Sequence, residues 1–430
     1  MKIIWLGMLF EIILLALLQP FIEDFDGAAI IAVLSHMLFT LLILMSYKSK
    51  FRYLFLFAFL IRGMFAFWDL YVFRLPHSGA DSEYYYSQAI RYSLNLFAVV
   101  DSGELYAKTM GVLFYIIGPD RLVGQYINVL LGLSTLWIIY KILVILDLKP
   151  RIVTLVLTLS AFFPNSLFMS AIFLREAFPT FFVAGSALYF IKWFNHGRNI
   201  DMFLSFISVG IASAFHAGVI GLIAGYAFVF MFYRKGKDSY TFTFKSVVVF
   251  VLISLLFSAG FAVFPDVLLA KFKNIEEISD IYTVTNYREG GSVYLENLMV
   301  SSPIELMLYG PIKGLFFLTM PLPMYWRGFM DVLTFIVDSC LYLGTIIYLV
   351  WYRNKFGHRR TLVIGLILAL LGSVLIFGVG VSNAGTAVRH RQKLVPVVLV
   401  TLAVMMDGVS SILQKRLVSG LKSTSDIPKK

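Results

Sequence analysis

The chain has 430 residues, of which 59% are hydrophobic and 14% are charged, and its mean hydropathy is +0.83. This composition is far more apolar than that of an average soluble domain and predicts an integral membrane protein. The formal net charge of +11 does not indicate nucleic-acid binding, because most basic residues fall in short loops between apolar segments. A single cysteine, Cys340, excludes an intramolecular disulfide and a multi-thiolate metal site.

Apolar segments recur along the chain, and each is long enough to cross a hydrocarbon core of about 30 Å as a helix. We therefore predict an all-α bundle of about twelve spans that forms one transmembrane domain over residues 1–430. The basic loops place both termini in the cytoplasm, including a basic tail at 413–430. The expected spans are 3–22, 28–47, 53–73, 122–146, 151–168, 169–193, 201–215, 217–233, 244–264, 329–352, 361–381 and 394–412.

Two long connections are expected on the outer side of the membrane. The first is 74–121 and the second is 265–328. Within the second, the stretch 303–326 is apolar but carries four prolines, so we predict a re-entrant or interfacial segment there. The connection 382–393 also faces outward on the span count, although it is basic and contains Arg389, Arg391 and Lys393.

Charged residues within or at the ends of the predicted spans are candidate functional residues. A charge at the bilayer centre costs at least about 2.5 to 3.5 kcal/mol on insertion scales, so we expect each such residue to have a functional or a structural role. The structural alternative is an ion pair with a neighbouring helix, and for Asp338 we favour a hydrogen bond between packed helices. The residues are Arg62, Arg175, Glu176, His216 and Asp338.

Most of these groups fall at one depth, near the predicted outer surface. Arginine forks bind phosphate oxygens in bidentate fashion, so a cluster of arginines and histidines there favours a lipid phosphate or diphosphate. On a helical sixth span, Glu176 would point about 100° away from Arg175. In an extended connection, Arg389 and Arg391 would point to the same side. The expected cluster contains Arg175, Glu176, His216, Arg389, His390 and Arg391.

The first outer loop contains "HSGADSEYYYSQA", in which carboxylates stand beside tyrosines. Asp81 and Glu83 supply the carboxylates, and Tyr84 and Tyr85 supply flat amphipathic faces of the kind that hold sugars. The alternative is an interfacial aromatic belt, for which tyrosine is typical. If the segment after Gly79 is helical, one face carries Asp81, Tyr84, Gln88 and Arg91.

Four stretches between about residues 60 and 400 resemble the polysaccharide polymerases of the Wzy and EpsG type. Arg62 precedes "GADSEYY", and "FFPNSLFMSAIFLREAFPTFF" is similar to the arginine-bearing span of that family. "SAFHAGVIGLIAGYAF" is similar to its Phe-His followed by small residues, and "AVRHRQKLVPVVLV" to its late arginine cluster. Glu176 departs from the pattern, in which a neutral residue more often follows the arginine.

The resemblance implies an enzyme that transfers glycan repeat units from a polyprenyl-diphosphate carrier to a sugar hydroxyl, outside the bacterial cytoplasmic membrane. It implies membrane lipids, a flippase and a chain-length regulator as partners, with no cofactor. Asp81 or His216 is then the candidate base, and Glu176 orients an arginine or His216. The expected substrate-binding residues are Arg62, Glu83, Tyr84, Tyr85, Arg175, Arg389, His390 and Arg391.

Two other functions are open on the sequence. The "P…S…RE" arrangement and an acidic outer loop also resemble the GT-C glycosyltransferases, which use polyprenyl-phosphate sugars. In that case Asp81 and Glu83 would hold a divalent metal. A lipid-glycan or ion-coupled transporter is the third hypothesis, with Arg62 and Asp338 lining an alternating pathway.

Overall fold

The computed structural model describes residues 1–96, 105–244, 246–248, 251–252, 255, 286 and 291–425. The regular secondary structure of this part is helical, apart from two antiparallel strands of two residues each, β1 (Tyr233–Arg234) and β2 (Ser239–Tyr240). The predicted all-α class is therefore confirmed for the described residues. Most of the predicted span 244–264 and most of residues 265–302 lie outside them.

The described helices follow one another in this order: α1 Lys2–Leu18, α2 Phe25–Ser46, α3 Arg52–Tyr71, α4 Ala80–Leu94, α5 Leu105–Ile117, α6 Arg121–Ile145, α7 Pro150–Phe162, α8 Pro164–Met169, α9 Ala177–His196, α10 Asn199–Phe215, α11 Gly221–Phe232, α12 Pro303–Thr319, α13 Phe329–Thr334, α14 Cys340–Tyr352, α15 Arg360–Gly380, α16 Ala384–Arg391 and α17 Val395–Ser425. A 3₁₀ turn, Ala217–Ile220, joins α10 to α11, and a π turn, Phe335–Ser339, joins α13 to α14.

Eight helices in the described part are long and apolar enough to cross a membrane. They are Lys2–Phe21, Phe25–Ser46, Arg52–Tyr71, Arg121–Ile145, Ala177–His196, Phe329–Tyr352, Gly357–Gly380 and Ala384–Ile412. Shorter apolar helices at Leu105–Ile117, Pro150–Phe162, Asn199–Phe215 and Ala217–Phe232 complete the bundle. The membrane class predicted from composition agrees with this finding, whereas the count of twelve spans and the side of the termini stay predictions.

The bundle has a buried centre and an exposed edge. In the most apolar part of α6, 61% of the residues are buried, and in Ala384–Ile412 the share is 72%, against 17% in Lys2–Phe21. A helix with apolar residues on every face can lie either in the centre of the bundle or at its edge. Its packing against other helices decides between these two positions. Helices α6 and α17 lie at the centre, so polar side chains such as those of Asn128 and Thr401 are buried among other protein groups.

Two helix breaks fall within what the sequence suggested were the continuous spans 151–168 and 169–193. Helix α7 ends before Pro164, which cannot donate a backbone hydrogen bond. Residues 170–176 then form turns and bends between α8 and α9. The prediction of one helix through Arg175 and Glu176, with an offset of about 100° between them, was therefore wrong.

Side chains from distant helices satisfy the carbonyl groups that this break exposes. The amide nitrogen Nδ2 of Asn128 donates to the carbonyls of Ile172 at 2.8 Å and Leu174 at 2.9 Å. The hydroxyl of Ser82 donates to the carbonyl of Phe173 at 2.8 Å. Irregular backbone at membrane depth is tolerated where protein supplies such partners. Helices α4 and α6 thus fix the segment 170–176 in place.

The proline-rich stretch 303–326 contains a longer helix than the sequence suggested. Helix α12 continues through Pro311, which costs one internal hydrogen bond but does not end it. It packs closely on α15, since a Cβ added to Gly378 would lie 2.5 Å from the Cα of Gly314. The irregular backbone is confined to the residues after Thr319, and a re-entrant or interfacial placement stays a prediction.

The basic connection 382–393 is mostly helix α16, and its charges point into the bundle. The side chains of Arg391 and Lys393 are fully buried and that of Arg389 is 18% exposed, each beside a carboxylate. These positive charges are not exposed loop charges, so an outward location no longer conflicts with the usual bias of basic loops toward the cytoplasm.

We expect this end of the bundle to face outward. Gly385 is exposed at the start of α16, and Asn199 is exposed at the start of α10, on the predicted cytoplasmic side. In a Cys340→Ser background, Gly385→Cys should react with a membrane-impermeant maleimide in intact cells, whereas Asn199→Cys should react only after permeabilisation. The reverse labelling pattern would overturn the orientation.

Candidate functional site

Arg175 lies in the helix break, immediately before α9, and its guanidinium has no ion-pair partner among the described residues. The side chain is half-buried and lies over the Tyr85 ring, with 5.6 Å between the guanidinium carbon and the ring centroid. Its Nε is buried without a hydrogen-bond partner, and the side chain forms no ion pair with any described residue. A buried arginine is normally paired, so this fork is available to a ligand.

Glu176 is the buried carboxylate of the site, and two basic side chains other than Arg175 lie next to it. It is 1% exposed, and its Oε1 lies 3.3 Å from Lys393 Nζ and 3.4 Å from Arg389 Nε. Its Oε2 is buried without a hydrogen-bond partner. Glu176 stands at the N-terminus of α9, where the helix dipole favours negative charge.

Arg389 links this centre to the outer helix α4. Its Nη1 donates to Oδ2 of Asp81, whose side chain is 49% exposed at the beginning of α4. With Arg175 and Lys393, Arg389 gives three cations beside the two carboxylates Glu176 and Asp81. The site therefore has three basic side chains to two carboxylates next to a helix N-terminus, an arrangement that suits an anionic ligand.

Arg391 is separated from Arg389, contrary to the expectation for an extended connection. Two residues on a helix point about 200° apart, so Arg391 faces the interior of the bundle. Its fork pairs with Asp338, and neither side chain is exposed. The remaining donors bind Ser339 Oγ at 3.1 Å and two carbonyls at 3.1 and 3.0 Å, those of Phe317 and Leu318. Arg391 is thus fully engaged by protein groups.

Arg62 lies beneath the site and supports the helix break. It is 2% exposed, and its Nε donates to Ser170 Oγ at 3.1 Å. Its Nη1 donates to the carbonyls of Ala58 at 2.9 Å and Ala161 at 3.1 Å. It lines a cavity of about 30 Å³ that Glu176 also lines, which is room for about one water molecule. The structure assigns Arg62 to this interior position.

His216 and His390 contact each other inside the bundle. Their Nε2 atoms are 3.1 Å apart, and their side chains are 8% and 2% exposed. Phe377 packs against both rings, with centroids 5.1 and 5.6 Å away. Gly218 makes room for Phe377, since a Cβ there would lie 2.4 Å from that ring. This contact directs His216 toward another imidazole.

The tyrosines after Gly79 divide into buried and exposed ones, because the segment is helical as expected. Tyr85 is 5% exposed and packs edge-on against Tyr106, with 5.5 Å between ring centroids. It therefore supports Arg175 and does not offer a face for sugar. Tyr84 is 42% exposed on the same side of α4 as Asp81, so its ring remains a candidate for contacting a sugar.

Glu83 is held by two arginines, Arg74 at 2.5 Å and Arg121 at 2.6 Å. Partial burial alone would raise the pKa of Glu83, but these arginines hold it below its ordinary value. A divalent cation between Asp81 and Glu83 would have to displace arginines from both. Among the described residues, no group of three or more histidine, cysteine or acidic side chains is placed to hold a metal ion.

Sequence reasoning missed two residues that shape the site. Lys393 was seen only as part of a basic connection, although a lysine directly before the apolar run of α17 was a usable signal. The second residue is Asp69, near the end of α3. Its carboxylate accepts hydrogen bonds from the Leu75 N–H at 2.9 Å, the Ser78 hydroxyl at 2.8 Å and the Gln125 amide at 2.7 Å.

Comparisons with protein-family models, with curated proteins and with solved structures found no match for this chain.

Proposed function

We propose that the protein is a membrane polysaccharide polymerase, which transfers glycan repeat units from a polyprenyl-diphosphate carrier to a sugar hydroxyl outside the bacterial cytoplasmic membrane. The observation that carries this proposal is the uncommitted guanidinium of Arg175 at the break before α9. The proposal also agrees with the resemblance of four sequence stretches to the Wzy and EpsG type.

A diphosphate suits this site for two physical reasons. The fork of Arg175 matches two phosphate oxygens, and the N-terminus of α9 adds the positive end of a helix dipole. The site also lies among apolar helices of membrane length, so a ligand that is both anionic and lipid-linked fits better than a free anion.

The arrangement can assist the departure of a diphosphate. Negative charge develops on the leaving oxygen when the bond to the sugar breaks, and preorganised cations stabilise it. Arg175 provides one such cation. Arg389 provides a second, since its bond to Asp81 is partly exposed and a diphosphate can compete for it. Tyr84, exposed on α4, offers an aromatic face to the glycan.

A second candidate is a lipid-glycan transporter, because discontinuous helices often form the binding sites of transporters. The break between α8 and α9 has that form. The GT-C transferase is favoured less, because Asp81 and Glu83 are both engaged by arginines and not arranged around a shared metal position.

Analysis of lipid-linked glycans in a deletion strain tests the proposal. A polymerase defect should leave single repeat units on the lipid at the outer leaflet, with polymer lost and then restored by the wild-type gene. The same lipid confined to the inner leaflet would favour the transporter. A repeat unit that lacks one sugar would favour the single-sugar transferase.

A further inference from the structure

The turn between α3 and α4 carries a histidine, His77. His77 has a φ of 69°, in the left-handed region that residues other than glycine seldom occupy. The buried carboxylate of Asp69 holds the turn on both sides of it, through the Leu75 N–H and the Ser78 hydroxyl. The side-chain amide of Gln125 in α6 donates a hydrogen bond of 2.7 Å to the same carboxylate and holds it in position. The backbone therefore keeps His77 in one place.

The surroundings of His77 are the charged groups of the candidate site. The turn leads directly into α4, and the first residues of α4 hold it beside the site: Asp81 bonds to Arg389 of α16, and the Ser82 hydroxyl donates to the carbonyl of Phe173, two residues before Arg175. Arg389, Glu176 and Asp81 are accordingly close enough to influence the charge of the His77 ring. The ring is half-buried, and it makes no hydrogen bond or ion pair with any residue that the structure describes. His77 is thus an uncommitted imidazole beside the cations proposed to bind diphosphate.

We propose that His77 is the general base that accepts the proton of the attacking sugar hydroxyl. This inference rests on the proposed function, and it differs from the sequence-based choice between Asp81 and His216. Asp81 is bonded to Arg389, and His216 meets His390 in the interior, whereas His77 stands at the partly exposed edge of the site.

The acceptor hydroxyl transfers its proton to a ring nitrogen of His77 while its oxygen forms a bond to the anomeric carbon. The bond from that carbon to the diphosphate oxygen breaks, and its electron pair leaves with the polyprenyl diphosphate, which Arg175 and Arg389 bind. The protonated imidazole then releases its proton to water, which restores the base.

The ionisation of His77 suits this role. Burial and the nearby Arg389 lower the pKa of His77 below its ordinary value, against the opposing effects of Glu176 and Asp81. The ring is therefore neutral at neutral pH and able to accept a proton. Because only the neutral form acts, the transfer rate should rise with pH through the pKa of His77 and then level off.

Kinetics of the full-length protein in lipid nanodiscs test the role of His77. The substrate is the lipid-linked glycan extracted from a strain that lacks the protein. His77→Asn is the main variant, since asparagine tolerates a positive φ and preserves the turn. We expect kcat to fall by about 10²-fold or more, and the fall in rate at acidic pH to disappear. The matched control is His196→Gln, at an exposed residue of α9, which should keep the wild-type rate and pH profile.

The outcomes separate this inference from the proposed function. Absence of transfer by the wild-type protein contradicts the proposed function itself. An active wild type with His77→Asn within threefold of its rate contradicts the base role. So does a loss in His77→Asn that only follows a loss of folded protein in a melting experiment. Loss of the acidic limb in Asp81→Asn, with the limb retained in His77→Asn, would assign the base to Asp81.

Discussion

Arg175→Lys should lose glycan transfer almost as completely as Arg175→Ala, by on the order of 10³-fold in kcat. Lysine keeps the charge but not the planar fork that holds two phosphate oxygens. Arg175 forms no ion pair with a described residue, and Glu176 keeps Lys393 and Arg389 as partners without it. We therefore expect both variants to reach normal protein levels, with stability within about 1 kcal/mol of wild type.

Transfer rates and melting curves on the same preparations measure both effects. The matched control is Arg151, an exposed arginine at the start of α7, where Arg151→Lys and Arg151→Ala should leave the rate nearly unchanged. Wild-type activity in Arg175→Lys would contradict the diphosphate role. A destabilisation that accounts for the whole loss of activity would show that Arg175 is structural.

Asp338→Ala should lower the free energy of unfolding by about 3 to 5 kcal/mol. The change leaves Arg391 fully buried and without its carboxylate, and it also removes the acceptor of the Asn165 amide, which is 2.9 Å from Asp338 Oδ1. Reversible unfolding in mild detergent measures this effect. The control is Asp331→Asn, whose partner Arg327 is 52% exposed at 3.5 Å, and which should cost under about 1 kcal/mol.

The double variant Asp338→Leu with Arg391→Met should recover most of the lost stability, because apolar side chains need no buried partner. Transfer should also return, since Arg391 is engaged by protein groups and lies apart from Arg175 and Arg389. A stable double variant without transfer would instead support the sequence-based expectation that Arg391 binds substrate.

The sequence alone determined the class of the protein and most helix positions. The length of an apolar run is a local property, and the cost of a charge at membrane depth does not depend on knowing its neighbours. For this reason Arg175 and Glu176 could be selected before any contact was known. The helical reading of the segment after Gly79 also followed from local spacing, and α4 confirms it.

The tertiary structure decided which charged side chains form ion pairs within the protein and which do not. Arg391 meets Asp338 from 53 residues away, and Glu176 meets Lys393 from 217 residues away, so no local pattern could distinguish Arg391 from Arg175. The helix break at 170–176 likewise depends on distant partners, since Asn128 and Ser82 supply the donors for its carbonyls. Exposed backbone carbonyls in an apolar interior are stable only when such partners are present, and folding alone brings them together.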